Sequence, residues 1–393
     1  MPSNPPDSGT SRLWTLSFAA TIVVYTLTSL SNYMLVGVLP AWVVHEGGSR
    51  PEAGLVVSLF SLAALASRPL FGIALEKIGR PPVLAFGALA FLAGTIGQIF
   101  CPGLVPLLAW RVAQGVGFSA VSTASAVVLA DISPRSRLSE GLGWLQMATA
   151  LNFAAGPMIG LALTSEGDFG SFYLVIAALT LLAAGAALVI RYRRAPVAVL
   201  APTAPAEPAT GRLPSTTWPL ACMVLLLMVS MGCVVTFIPL FGRTLGVEHM
   251  AWFFPVYAGA SFVGVRLGAV GLAARWGRRR VLGISLVLAA VAMAGLSTLP
   301  WLPAALGCAV LYGVGYSTAQ TLLTASLLEA ATEKTRGLAN AVNFAAMDVG
   351  MTVGPVGAGA FAEVFSIRWV YLLAAVSVLA ALVVHGALGK RNS

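Results

Sequence analysis

Twelve apolar stretches, joined by short polar or charged segments, occupy almost all of this 393-residue chain. They run over about 13–42, 53–75, 83–101, 104–130, 141–163, 171–190, 218–242, 250–274, 280–298, 303–328, 337–362 and 369–388. Each approaches or exceeds the ~20 residues a helix needs to cross ~30 Å of hydrocarbon. Inside lipid the backbone finds no water, so such a stretch must be a helix that pairs its own N–H and C=O groups. The expected fold is therefore an all-α membrane protein with twelve transmembrane helices.

Charge supports this and gives an orientation. Only 9% of residues are charged, against roughly 25% in a soluble domain. The net charge of +9 would suggest nucleic acid if it were gathered on one polar face, but the cations lie in the joints. With the N-terminus placed in the cytoplasm and sides alternated, 17 of the 23 Lys and Arg fall on the cytoplasmic side and three (Arg50, Arg243, Arg368) opposite. The other three, Arg68, Arg111 and Arg266, lie within spans. Lys and Arg are retained in short cytoplasmic loops, so both termini are expected inside, across a bacterial inner membrane.

A Pro/Ala/Thr-rich segment near the middle, APVAVLAPTAPAEPAT, reads as a flexible linker. The expected organisation is a cytoplasmic tail (1–12), a six-helix bundle (13–190), a cytoplasmic linker (191–217), a second six-helix bundle (218–388) and a short tail (389–393). An internal repeat at an offset of 198 residues supports the division. It carries Arg68 onto Arg266, Gly79-Arg80 onto Gly277-Arg278, Asp131 onto Glu329 and Gly156-Pro157 onto Gly354-Pro355. Parallel repeats of this kind place a ligand site at their interface, near the middle of the membrane.

Several chemistries are excluded. Gly115-Val-Gly117 has the spacing of a dinucleotide loop, but no strand precedes it. There is no Walker A sequence, HExxH or GxSxG, so neither an ATPase nor an intramembrane hydrolase is expected. His45, His249 and His385 are isolated, and the four cysteines lack a metal or disulfide spacing. No cofactor and no enzymatic activity are expected.

Three motifs remain. Gly72-Ile-Ala-Leu-Glu76-Lys77-Ile-Gly79-Arg80-Pro81 joins spans two and three, and Arg111-Val-Ala-Gln114-Gly115-Val-Gly117 lies in span four. Span five holds Gly143, Asn152, Gly156-Pro157 and Gly160. Together they resemble the signature motifs of the major facilitator superfamily, the third being similar to that of its drug/proton antiporter branch. Glu76-Lys77 stands where the family usually has Asp-Arg, Pro81 replaces a common basic residue, and Asn152 replaces a usual Gly. The resemblance implies two six-helix bundles that rock about a central site, export of small organic molecules against protons, and a monomer in lipid. A weaker resemblance, on Arg68-Pro69 and Asp348, is to opine-metallophore exporters. A proton-coupled importer of a sugar or organic acid is the competing reading.

The candidate residues follow from intramembrane polarity. A charge at the bilayer centre costs roughly 2.5–3.5 kcal/mol on insertion scales. Asp348, near the middle of span eleven, must therefore face a cavity, pair with a cation or take a proton. Desolvation disfavours the ionised carboxyl, which suits Asp348 to reversible protonation; Arg111 joins it as a proton-coupling residue on the family resemblance. Arg68 is the first candidate for a substrate or ion-pair partner. Further candidates for the cavity wall are Asn32, Tyr33, Gln114, Gln146, Asn152, Phe237, Tyr257, Tyr316, Gln320, Asn343 and Phe344, because polar groups in lipid point inward and apolar pockets need a few polar anchors. Gating is expected at Gly72, Glu76, Lys77, Gly79 and Arg80, with Asp131 or Arg135 as partners, and at the bend or close packing made by Gly156-Pro157. Because Ala274 stands where the second half would repeat Glu76, this latch is expected to be asymmetric.

Overall fold

A computed structural model describes residues 13–100, 103–134, 137–164, 169–190, 213–244, 246–247, 249–298, 301–332 and 335–391. Among the described residues there are twelve long helices. The first six are α1 (Leu16–His45), α2 (Arg50–Lys77), α3 (Arg80–Phe100), α4 (Leu104–Ile132), α5 (Leu138–Leu163) and α6 (Phe169–Val189). The second six are α7 (Thr217–Thr244), α8 (Met250–Trp276), α9 (Arg278–Thr298), α10 (Leu302–Ala330), α11 (Arg336–Val364) and α12 (Ile367–Arg391). Eleven are long and apolar enough to cross a membrane over their described residues. The remaining helix, α5, has 26 residues, ~39 Å at ~1.5 Å per residue. The expected tail 1–12, most of the linker and Arg135 lie outside the described residues.

Helix starts follow local chemistry. Thr15 caps α1, its Oγ1 accepting from the Phe18 amide at 3.2 Å, so α1 begins three residues later than the apolar run suggests. Ser49 and Glu52 form a reciprocal capping box at the start of α2, which satisfies amides a helix N-terminus leaves open. At the far end, α12 continues through Arg391, into the segment expected to be a tail.

The repeat in the sequence is a repeat in packing. In the first bundle α1 packs on α5 and α6, α3 on α4 and α6, and α2 on α4. In the second, α7 packs on α11 and α12, α9 on α10 and α12, and α8 on α10. The bundles meet along three seams: α2 with α11, α5 with α8, and α1 with α7.

The symmetry fails in α8. Residues Gly264–Leu272 are wound as a π-helix, whereas the matching part of α2 is α-helical and carries Pro69. Carbonyls at the start of this stretch and just before it also accept from α10: Thr318 Oγ1 donates to Gly264 O at 2.9 Å and Ser317 Oγ to Ser261 O at 3.0 Å.

Candidate functional site: the seam between the bundles

The α2–α11 seam is continuous from one end of the molecule to its middle. At its outer limit the Arg50 amide donates to Glu363 Oε2 at 3.2 Å, and the Arg50 guanidinium bonds the Ala362 carbonyl. Each helix end thus supplies what the other lacks, an acid at the N-terminus of α2 and a cation at the C-terminus of α11. Further in, a Cβ on Gly359 would lie 2.5 Å from Arg50 O, and one on Gly54 would lie 2.3 Å from Pro355 O. Nothing larger than glycine fits there without moving backbone. Ser58 Oγ then donates to Thr352 O at 2.6 Å.

The seam's innermost contacts are charged and aromatic. Arg68 Nε lies 2.9 Å from Asp348 Oδ2, and its Nη2 donates to Asp348 Oδ1 at 3.3 Å. The Arg68 guanidinium also lies 5.5 Å from the centre of the Phe344 ring, within cation–π range. Asp348 is twelve residues into α11, ~18 Å at ~1.5 Å per residue. The pair keeps access to solvent-sized space, with 31% of the Arg68 side chain and 17% of the Asp348 side chain exposed. Offset by 198 residues, Arg266 repeats Arg68 and is exposed on the π segment of α8, but Ala150 stands where Asp348 would be repeated. The carboxylate belongs to one half alone.

A chain of rings crosses from one bundle to the other on the outer side of this pair. Tyr33 on α1 contacts Phe153 on α5 with centroids 5.4 Å apart, and Phe153 contacts Tyr257 and Phe254 on α8 at 5.2 and 6.0 Å. Tyr257 continues to Tyr312 and Tyr316 on α10 at 5.7 and 6.3 Å. The hydroxyls at the end of the chain are anchored, Tyr312 sharing a 2.7 Å hydrogen bond with Ser230 and Tyr316 donating to Met228 Sδ at 3.2 Å. Of these rings only Tyr33, Tyr257 and Tyr316 were expected from sequence. Phe153, Phe254 and Tyr312 were not, because one aromatic in an all-apolar helix carries no sign of the face it occupies.

The other candidates divide by location. Asn32 is buried, with an amide oxygen that has no hydrogen-bond partner. It shares a helix face, at i, i+3 and i+4 spacing, with Tyr25, Ser29 and Val36. Along that face Val36 packs into the second bundle's core, while Tyr25 packs within the first and shares a 2.7 Å hydrogen bond with Thr149 on α5. Gln320 lies one turn from Tyr316, and its Oε1 is also unpartnered. Its Nε2 donates to Thr324 Oγ1 at 3.4 Å, and Thr324 Oγ1 donates to Asn343 Oδ1 at 3.5 Å, linking α10 to α11.

Four candidates lie elsewhere. Phe237 is wholly buried in the core of the second bundle. Asn152 donates to Thr26 O at 3.0 Å, fastening α5 to α1. Arg111 and Gln114 are wholly buried inside the first bundle. Arg111 Nε donates to Val56 O at 3.1 Å and Nη1 to Gln114 Oε1 at 2.9 Å, with the Phe60 ring centre 4.4 Å from the guanidinium. Gln114 in turn donates to Thr95 Oγ1 at 3.1 Å and accepts from Gln98 Nε2 at 3.0 Å. The side chain of Gln146 lies outside the described residues.

The gating candidates gather at the opposite end from Arg50. Gly79 has φ +105° and Gly277 φ +85°, the left-handed backbone that glycine adopts most cheaply. Each turn delivers an arginine to an acid at the end of a neighbouring helix: Arg80 Nε lies 3.0 Å from Asp131 Oδ2, and Arg278 bonds Glu329. Glu76, which has no acidic counterpart at Ala274, is exposed like Lys77; the arginine–acid pair occurs in both halves, buried in the first and exposed in the second, and each pair lies within one bundle. Gly72 has no heavy atom within 4 Å of where a Cβ would stand, so it makes no close approach in this conformation. Gly156 does, a Cβ there falling 2.5 Å from Tyr33 Cβ. With Pro157 it seats α5 on α1, as Gly354-Pro355 seats α11 on α7 through Val229 and Gly232.

The family model described as Major Facilitator Superfamily matches residues 21–271 and 266–392. The chain belongs to the major facilitator superfamily. It is 28% identical to the MFS-type transporter YhhS of Escherichia coli K12 over 388 residues, covering 94% of this chain and 93% of YhhS. It is 28% identical over 162 residues, 40% of each chain, to the multi-drug resistance efflux pump PmrA of Streptococcus pneumoniae. In fold it is similar to a bacterial homologue of the human lysosomal transporter Spinster, solved in an inward-facing and unoccupied conformation, with a TM-score of 0.77, 14% identity and 96% coverage of both chains. As a member of the major facilitator superfamily, the chain is a multi-pass membrane transporter of small molecules, not an enzyme.

Proposed function

We propose that this transporter is a proton-coupled exporter of small organic molecules that works by alternating access, with Asp348 as the proton carrier. One observation carries the reading: the Arg68–Asp348 pair is the innermost tie of the α2–α11 seam and joins the two bundles. A carboxylate without its partner at this depth is costly, so Asp348 is stable either paired with Arg68 or protonated. Protonation removes the charge that holds Arg68 and loosens the seam. Proton binding and seam opening are then one equilibrium.

The direction of transport rests on other support. The Gly156-Pro157 contact between α5 and α1 is built from the motif that resembles the antiporter branch, and PmrA is an efflux pump. In the cycle, substrate enters from the cytoplasmic side while Asp348 is ionised. Opening to the far side admits a proton, which displaces the substrate. The membrane potential supplies ~2.3 kcal/mol per charge for each 100 mV, in addition to the pH gradient. The uneven distribution of Lys and Arg supports an inner-membrane location with both termini in the cytoplasm, which C-terminal reporter fusions test.

Proteoliposomes with an imposed pH gradient, screened with a compound panel and read for both substrate and proton movement, test the reading. Asp348→Asn is expected to insert and purify normally and to lose gradient-driven movement altogether. Full gradient-driven export by that variant removes Asp348 from the mechanism. Co-movement of substrate and proton in one direction replaces export by import.

A further inference from the structure

We propose that the site takes an aromatic ampholyte, a flat apolar body bearing a protonated amine and a carboxylate-type anion. This rests on the reading of Asp348 as proton carrier and names what replaces the proton. The starting point is that the recognition charges are already spent on each other. Arg68 and Asp348 are in contact through two pairs of atoms. Among the described residues Asp348 is also the only acid away from the helix ends of the spans. A ligand with a single charge that takes one partner strands the other in a poorly solvated place, which is the costly way to break such a pair. A monocation on Asp348 leaves Arg68 unpaired. A ligand with both charges inserts into the pair and leaves neither charge unmatched.

Two further observations point to the same ligand. The amide oxygens of Asn32 and Gln320 are buried without donors, and a ligand rich in N–H groups supplies donors to such oxygens where it reaches them. Tyr33, Phe153, Tyr257 and Tyr316 form an aromatic wall on the outer side of the pair, to which a planar apolar body is matched.

The sign of coupling follows. The ammonium group needs Asp348 ionised, so ampholyte and proton compete for one carboxylate, which is the thermodynamic requirement for antiport. A monoanion would instead take Arg68 and leave Asp348 to a proton, so that anion and proton bind together and travel together. The charge type of the ligand therefore decides whether the same pair runs exchange or co-transport.

The test uses matched probes on the full-length protein: tryptophan, tryptamine and indole-3-propionate, with tyrosine, tyramine and 3-(4-hydroxyphenyl)propionate as a second set. Binding is read by thermal stabilisation across pH 5.5–8, and proton release with an indicator in weakly buffered solution. Within each set the ampholyte is expected to bind at least tenfold tighter than either single-charge analogue, more tightly as pH rises, and with release of a proton. Arg68→Gln and Asp348→Asn are each expected to lose that preference. The exchanged pair, Arg68→Asp with Asp348→Arg, is expected to recover it in part. Equal or tighter binding of the amine or the acid, or no stabilisation by any of the six probes, overturns the assignment. Proton-releasing binding of tryptamine alone would sink the ampholyte and leave Asp348 as proton carrier. Ampholyte binding that survives unchanged in Asp348→Asn would sink both.

Discussion

Arg111 is the largest fully buried side chain among the described residues, and no carboxylate accompanies it. Its acceptors do not depend on it. Gln114 Oε1 also accepts from Gln98, and Val56 O lies inside a helix. Replacing a buried ion by an apolar residue of similar volume is often neutral or stabilising. Arg111→Met is therefore expected to melt within ~1 kcal/mol of wild type, whereas Arg111→Lys, which keeps the charge and loses the planar fork, is expected to lose about 1–3 kcal/mol. Denaturation in detergent measures both. A transport defect in a normally stable Arg111→Met would assign the guanidinium a role beyond packing. Asp348, Arg68 and Arg111 were all legible in the sequence, because a charge inside an apolar span is conspicuous on cost alone. Their surroundings were not. Arg111 lies inside one bundle and Asp348 between two, and that distinction depends on which helix faces which.

The two arginine–acid pairs allow a comparison between equivalent elements. Arg80 and Asp131 have side chains 10% and 12% exposed, while Arg278 and Glu329 are 53% and 58% exposed. Exposed pairs contribute about 0.2–1 kcal/mol, and breaking a buried pair costs more. Double-mutant cycles are expected to give a coupling at least twofold larger for Arg80–Asp131 than for Arg278–Glu329, with the exposed pair weakening more in high salt. The glycines of the α2–α11 seam allow a second test. Gly359→Leu or Gly54→Leu has no room and must push the helices apart at the Arg50 end. Spin labels on α2 and α11 near that end are expected to show a longer, broader distance distribution in either variant, and an unchanged distribution would refute the close approach. These seam contacts were illegible beforehand because Arg50 and Glu363 are 313 positions apart. In the sequence Arg50 is only one of three cations on the less basic side, and a glycine among 41 is unremarkable until its neighbour is known.

At the scale of the whole molecule, the twelve spans, the two halves and the internal repeat could all be read from the sequence, because apolar run length and a constant offset survive without three-dimensional information. The repeat also carried more than expected. The closest helix pairings inside the first bundle, those of α1 with α5 and α6, α3 with α4 and α6, and α2 with α4, have their counterparts in the second. The lining of the passage could not be read in the same way. Helices apolar on every side give no periodicity to mark an inner face, so nothing in the sequence separates Phe237, in the core of one bundle, from Phe153, between the two. With Asp348 protonated the α2–α11 seam loses its innermost tie while its outer ties remain. Asp348→Asn is therefore expected to increase spin-label distances between α2 and α11 near Arg68 more than near Arg50, and equal changes at both ends would show that the bundles move as rigid bodies from the outset.

The π-wound stretch of α8 holds a reserve of length that the matching stretch of α2 lacks. Gly264–Leu272 turns through i→i+5 bonds, so it is shorter and wider than an α-helix of the same residues. If it tightens to i→i+4, the stretch lengthens by an amount on the order of the 1.5 Å rise of one residue. It also swivels Arg266 about the helix axis and shifts the Gly277 turn, with the Arg278–Glu329 pair beyond it, along that axis. One half of the transporter thus holds a stretch that can change its length where its twin holds a proline.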